Sequence, residues 1–223
     1  MNPQRIPPGI NDSKTLTPRR RLKLANEIRE TADASAVAFV DSCTIDRINI
    51  REATRRAMLL AVEKLETRPD FLLCDGDMAV PIPLPQQSIV GGDRRSLSIA
   101  AASILAKVAR DRLIVNLDAR YPGYDLRNNM GYGTRKHRDA LKRLGPTPLH
   151  RASFRGVCGL DSVGPGPGVD PVEGTYQKQT KKESSTKTHE ERRRDTKKTE
   201  RGSSLFVSIG GSSLNWIGSF FLE

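Results

Sequence analysis

Within residues 71–112, two short apolar runs each stop at an aspartate set beside glycine, and a long alanine-rich segment follows. The first run, Phe71-Leu72-Leu73-Cys74, ends on Asp75-Gly76; the second, Ser88-Ile89-Val90, ends on Gly91-Gly92-Asp93. Runs this short and this apolar read as buried strands. A carboxylate at the end of such a strand lies where open α/β sheets bind their ligands. Asp75 and Asp93 can therefore converge on one divalent cation, because hard cations take carboxylate oxygens. Two turn aspartates would give the same pattern, since Asp and Gly both favour turns. Spacing alone leaves both readings open.

The rest of the chain supplies helices around these runs. Thr17-Pro18 is a helix start, with Thr17 as cap and Pro18 at the first helical position. Leu24, Ala25 and Ile28 mark its apolar face to about Thr31. Residues 34–40 read as a further strand, too apolar for an exposed edge. Residues 44–65 carry apolar side chains at helical spacing, from Ile50 through Ala57 to Leu65, and Pro69 closes them. In residues 97 to about 117, Ala101, Ile104, Leu105 and Val108 form a buried stripe. Lys107 and Arg110 fall off that stripe, on what is ordinarily a solvated face. A last helix, capped at Thr134, runs to Leu144. The order helix, strand, helix, strand, strand, helix points to a layered α/β domain.

Composition limits the partners. The chain of 223 residues has a net charge of +11 and is only 36% hydrophobic and 5% aromatic. A polyanionic partner, nucleic acid first, follows from such a balance. Residues 177–202 hold ten Lys/Arg against five Asp/Glu, so the remainder is only moderately basic. Residues 158–204 have the composition of a disordered basic linker, and residues 205–223 form an apolar end with no evident partner in the chain. Cys43, Cys74 and Cys158 are widely spaced, which indicates neither a zinc site nor a disulfide framework. Cys74 reads as a small buried residue. No apolar run approaches the ~20 residues of a membrane span, and the first residues lack a signal-peptide core. A cytoplasmic monomer that does not enter membranes is the default expectation.

Eight short motifs stand in a fixed order: Gly9-Ile-Asn-Asp-Ser-Lys14, Ile45-Asp-Arg-Ile-Asn-Ile50, Cys74-Asp-Gly76, Val90-Gly-Gly-Asp93, the Ser96–Arg112 helix, Tyr121-Pro-Gly-Tyr124, Gly131-Tyr-Gly-Thr134 and Gly145-Pro-Thr-Pro-Leu-His-Arg-Ala-Ser-Phe154. Together they closely resemble ribonuclease HII across roughly residues 8–157. The resemblance implies an RNase H-like α/β domain, a mixed sheet with flanking helices, followed by a helical carboxy-terminal part. It implies metal-dependent cleavage of RNA in RNA–DNA hybrids and at ribonucleotides within duplex DNA, with Mn²⁺ or Mg²⁺ as cofactor. Asp75 and Asp93 match the two later members of the family's four-carboxylate site. Tyr132 matches the tyrosine at the ribonucleotide–DNA junction, near the 2′-hydroxyl that separates RNA from DNA. Asn11, Ser13, Lys14, Lys107 and Arg110 are candidate substrate contacts. His150 and Arg151 either contact the nucleic-acid backbone or pack.

The departures are specific. The family's Asp-Glu pair and Gly-Arg-Gly run have no counterpart before Asn11, which would leave two metal carboxylates and the first strands of the sheet unsupplied. Asn129 and Met130 stand where the family usually has a His-Lys pair, an apparent loss of a cation near substrate. Two expectations follow. Either the recorded start is short and the chain is a ribonuclease HII, or it is a truncated, non-catalytic nucleic-acid-binding remnant. With Asp75 and Asp93 alone, little or no cleavage is expected.

Overall fold

The computed structural model describes residues 6–157 and the backbone of residues 204–207. Each long helix begins where a side chain caps it. Thr17 caps α1 (Pro18–Thr31) by accepting the Arg20 amide at 3.3 Å. Asp41 caps α2 (Ser42–Glu63) through the Thr44 amide at 2.7 Å. Ser96 caps α3 (Leu97–Arg120), Thr134 caps α5 (Arg135–Leu144), and Gly145 at φ +74° ends the latter. Between them lies the single turn of α4 (Leu126–Asn129). These caps satisfy amides that a helix start leaves unpaired.

The sheet is small. Strand β1 (Phe71–Asp75) is central and pairs in parallel with β2 (Gln86–Ile89), Asp75 facing Ile89. On its other edge β3 (Ser204–Val207) also runs parallel, Phe71 facing Ser204 and Cys74 facing Val207. The expected mixed sheet is thus corrected to a parallel one among the described strands. Residues 205–207 of the apolar end do have a partner in the chain, namely β1. The linker of residues 158–203 and the segment 208–223 lie outside the described residues.

The run 34–40, expected as a strand, pairs with none. Ala38 and Val40 are buried against α2 and β1, so its apolar character reports packing rather than a ladder. Helix α2 starts and ends two residues earlier than its periodicity implied. It is kinked at Asn49, which sits at φ 65°, ψ 165° and caps the second half by accepting the Glu52 amide. In the second apolar run the strand covers Gln86–Ile89, and Val90 is 70% exposed.

Helix α3 links the parts. Its first half carries Ala100, Ala101, Ile104 and Leu105 against Leu24, Ala25 and Ile28 of α1. Alanine lets the two helices approach closely, and each fully buried leucine or isoleucine contributes roughly 1.5–3 kcal/mol. Its second half carries Ile114 and Leu117 into a separate cluster with Tyr124, Leu126, Leu141 and Leu149. A third cluster joins α2 to β1 through Ala57, Met58, Leu72 and Cys74. The amino end of α3 sits directly after the Gly92–Arg94 turn, so this helix carries one candidate site at its start and another midway along.

Candidate active site

Strand β1 delivers Asp75 to its carboxyl end, where the side chain is 4% exposed. One carboxylate oxygen accepts the Gly76 amide at 3.0 Å and the Gly92 amide at 2.6 Å. This pair of bonds fastens the loop after β2 to the end of β1. Gly92 has no room for a side chain: a Cβ there would lie 2.5 Å from Ile99 Cδ1 and 3.1 Å from the same Asp75 oxygen. Next to it Asp93 begins a single 3₁₀ turn, Gly92–Arg94, and is half-buried.

A third carboxylate belongs to this group. Asp12 is 3% exposed, accepts the Lys14 amide at 2.9 Å, and pairs with Arg94 at 3.3 Å. Burial opposes its charge, yet the Lys14 amide and the Arg94 guanidinium hold Asp12 below the usual carboxylate range. Asp93 moves the other way. Burial first, then the charges of Asp12 and Asp75, push its carboxyl up. Like charges gathered with too little cationic compensation raise a carboxyl pKa, and a divalent cation would relieve that repulsion.

The donor set fits such an ion. Asp75 and Asp93 offer hard oxygens, while among the described residues no group of three or more His, Cys, Asp or Glu is placed to hold a metal. Mg²⁺ and similar ions are commonly held by one or two carboxylates, with waters and substrate phosphates completing the shell.

The loop that carries Asp12 is anchored from beneath. Ser13 is buried and its hydroxyl meets Ser103 of α3 at 2.7 Å; Arg21 donates to Ser13 O at 2.9 Å and lies 3.7 Å from Asp111. Ser13, expected at the substrate, therefore faces α3 instead. Asn11 and Lys14 are exposed on the outer side of the loop, Asn11 accepting the Asp12 amide.

A second group forms around Tyr132. Arg110 donates to the Tyr132 hydroxyl at 3.3 Å and to Met130 O at 3.1 Å, with its guanidinium 5.1 Å from the ring centroid. Lys107 lies 5.7 Å from that centroid and pairs with Asp111 at 3.1 Å. Neither cation is on a solvated face; Lys107 is 8% and Arg110 5% exposed. Their packing against the tyrosine, rather than free extension into solvent, corrects the surface reading.

His150 and Arg151 pack. His150 stacks on His137 with ring centroids 5.3 Å apart, and Arg151 lies 4.5 Å over Phe154. Burial, and then the neighbouring His137, push His150 down to about 4. Asp46 of α2 fastens this closing segment by accepting the Ala152 and Ser153 amides and the Ser153 hydroxyl. The reading of residues missed Asp12, Arg94 and His137. Asp12 was within reach, since it sits inside the Gly9–Lys14 motif.

Comparison with known proteins agrees with this layout. A family model for ribonuclease HII matches residues 7–157. A ribonuclease HII from Geobacter sulfurreducens is 53% identical over 150 residues, covering 67% of this chain and 69% of that protein. One from Acaryochloris marina is 52% identical over 152 residues, covering 68% and 77%. The crystal structure of the ribonuclease H2 from Pyrococcus horikoshii OT3 superposes with a TM-score of 0.57 at 23% identity, over 67% of this chain and 78% of that one, which shows a shared fold. The eight motifs, the strand-end carboxylates and these matches lead to one conclusion: the chain belongs to the ribonuclease HII family, nucleases that act on RNA–DNA hybrids with divalent metal ions.

Proposed function

We propose that this chain hydrolyses the phosphodiester beside a ribonucleotide, in RNA–DNA hybrids and in duplex DNA, leaving a 3′-hydroxyl and a 5′-phosphate. The observation that carries the reading is the arrangement of carboxylates: Asp75, buried at the end of β1, is fastened through the Gly92 amide to the turn that carries Asp93, and the buried Asp12 pairs with Arg94 of the same turn. Asp75 and Asp93 would hold Mn²⁺ or Mg²⁺. Held there, the ion would supply Lewis-acid stabilisation of the charge that develops as the phosphodiester is hydrolysed.

The chain's own residues do the remaining work. Asp75 has one oxygen engaged by two amides, so its orientation is set before substrate arrives. Asn11, Lys14 and Arg94 form an exposed rim beside this end of the sheet, suited to the flanking phosphates. Tyr132, backed by Lys107 and Arg110, offers a ring and a hydroxyl to the sugar of the ribonucleotide. A 2′-hydroxyl would meet that face where deoxyribose presents only carbon.

Metal titration tests the site apart from catalysis. Mn²⁺ is expected to raise the melting temperature of the chain, and Asp75→Asn or Asp93→Asn to remove that increase. An equal Mn²⁺ shift in both variants would place the ion elsewhere.

A further inference from the structure

The Gly131–Thr134 turn carries Tyr132 on an unusual backbone. Met130 and Gly131 are both left-handed, at φ +48° and +80°, and the Tyr132 amide bonds back to Asn129 O at 2.8 Å. Two successive positive φ angles aim the tyrosine, and a non-glycine residue rarely adopts one unless its surroundings fix it. Those surroundings are two side chains, Asn129 and Arg110. Asn129 is 5% exposed; its amide nitrogen donates to Tyr124 O at 2.7 Å and its oxygen accepts the Gly131 amide at 2.7 Å. It thereby ties the far side of the turn to the Tyr124 backbone, while Arg110 holds the near side through Met130 O and the Tyr132 hydroxyl.

The Tyr124 carbonyl is fixed in turn by a chain of bonds whose direction is determined. The Thr147 amide can only donate, so His150 Nδ1, 3.0 Å away, accepts. A neutral His150 then carries its proton on Nε2 and donates to His137 Nε2 at 3.3 Å. His137 is left with its proton on Nδ1, which donates to Tyr124 O at 3.1 Å. Both imidazoles are neutral in this arrangement, and every polar atom of the pair is used. The amide of Asn129 and the ring of His137 converge on one carbonyl.

Where the family usually has a His-Lys pair, Asn129 thus places a buried amide. The geometry points to Asn129, backed by the His137–His150 pair, as the positioning residue that holds Tyr132 toward the ribonucleotide. This inference rests on the substrate role of Tyr132 proposed above. Asn129 touches no substrate; it acts through the Gly131 amide and the turn. An alanine there leaves a buried N–H and a buried carbonyl one partner short, and the turn loses its reason to stay left-handed at Met130.

The test uses the full chain with ¹³Cζ-tyrosine labelling, in which the four tyrosines give four resonances assignable by single Phe replacements. Fluorescence anisotropy in Ca²⁺ measures affinity for a DNA duplex with one ribonucleotide and for its all-DNA counterpart. For Asn129→Ala we expect a shifted or broadened Tyr132 resonance and a preference for the ribonucleotide duplex reduced about tenfold, with all-DNA affinity within about twofold. An unmoved Tyr132 resonance with the preference intact overturns the inference. If Asn129→Ala does not fold, Asn129→Asp, which keeps the acceptor and loses the donor, is judged by the same two readouts. Tyr132→Ala separates the two ideas. Loss of preference there but not at Asn129 defeats the positioning role, and retention of preference in Tyr132→Ala defeats the substrate role itself.

Discussion

Gly92 shows how much of the site depends on a missing side chain. Its amide reaches Asp75 at 2.6 Å because no Cβ stands between the loop and the end of β1. Gly92→Ala is expected to cost about 1–3 kcal/mol in urea denaturation, since Ile99 Cδ1 must move or the loop must lift. It should also remove the Mn²⁺ stabilisation. Full retention of both would mean that the loop is not held as described. Asp75 and Asp93 were readable in the sequence because each follows a short apolar run and borders glycine. Asp12 lay inside a motif that was read, but its part in the site was not legible, and neither was that of Asn129. Their roles come from groups distant in sequence that meet in space: Asp12 with Arg94, 82 residues on, and Asn129 with the Tyr124 carbonyl behind the turn. Composition and spacing carry no signal for such meetings. Lys107 and Arg110 illustrate the converse, since helical periodicity placed them off the apolar stripe without revealing that Tyr132 covers them.

Among the elements, α2 and the run before it separate what periodicity can tell from what it cannot. Periodicity located the helix to within two residues but missed the kink, because Asn49 interrupts it with one backbone conformation rather than a change of pattern. That conformation, φ 65° with ψ 165°, is favourable for glycine alone. Asn49→Gly is expected to leave stability unchanged or raise it by up to about 1 kcal/mol, because relief of strain outweighs loss of the exposed cap to Glu52. A loss above that size in denaturant titration would show that the Asn49 side chain has a further role. Residues 34–40 were read as a strand because burial and strand formation share one sequence signature. Only the neighbour decides between them, and no described strand pairs with this run. The short strands β1 and β2 were legible, although the second was placed two residues late.

At the scale of the whole molecule, α3 joins a carboxylate end to a tyrosine end, and buried His137 and His150 secure the latter. His150 is depressed to about 4, so the folded chain refuses a proton that the unfolded chain accepts near 6.5. The resulting stability is complete above pH 6.5 and is lost as pH falls toward 4, by at most about 3 kcal/mol. Denaturation at pH 7 and pH 4.5 should show a smaller pH difference in His150→Gln than in the natural chain. An unchanged difference would assign the acid sensitivity to carboxylates instead. The family was legible from eight motifs in order, whereas the parallel pairing of residues 204–207 with β1 left no trace in local pattern. The central claim is that Asp75 and Asp93 hold the ion that cleaves beside a ribonucleotide. Its most direct measurement is incision of a DNA duplex bearing one ribonucleotide, in Mn²⁺, by the natural chain and by Asp75→Asn. The account predicts slow incision at the ribonucleotide, none in an all-DNA duplex, and a loss on the order of 100-fold or more in the variant. Absence of incision by the natural chain, or equal incision by both proteins, would contradict it.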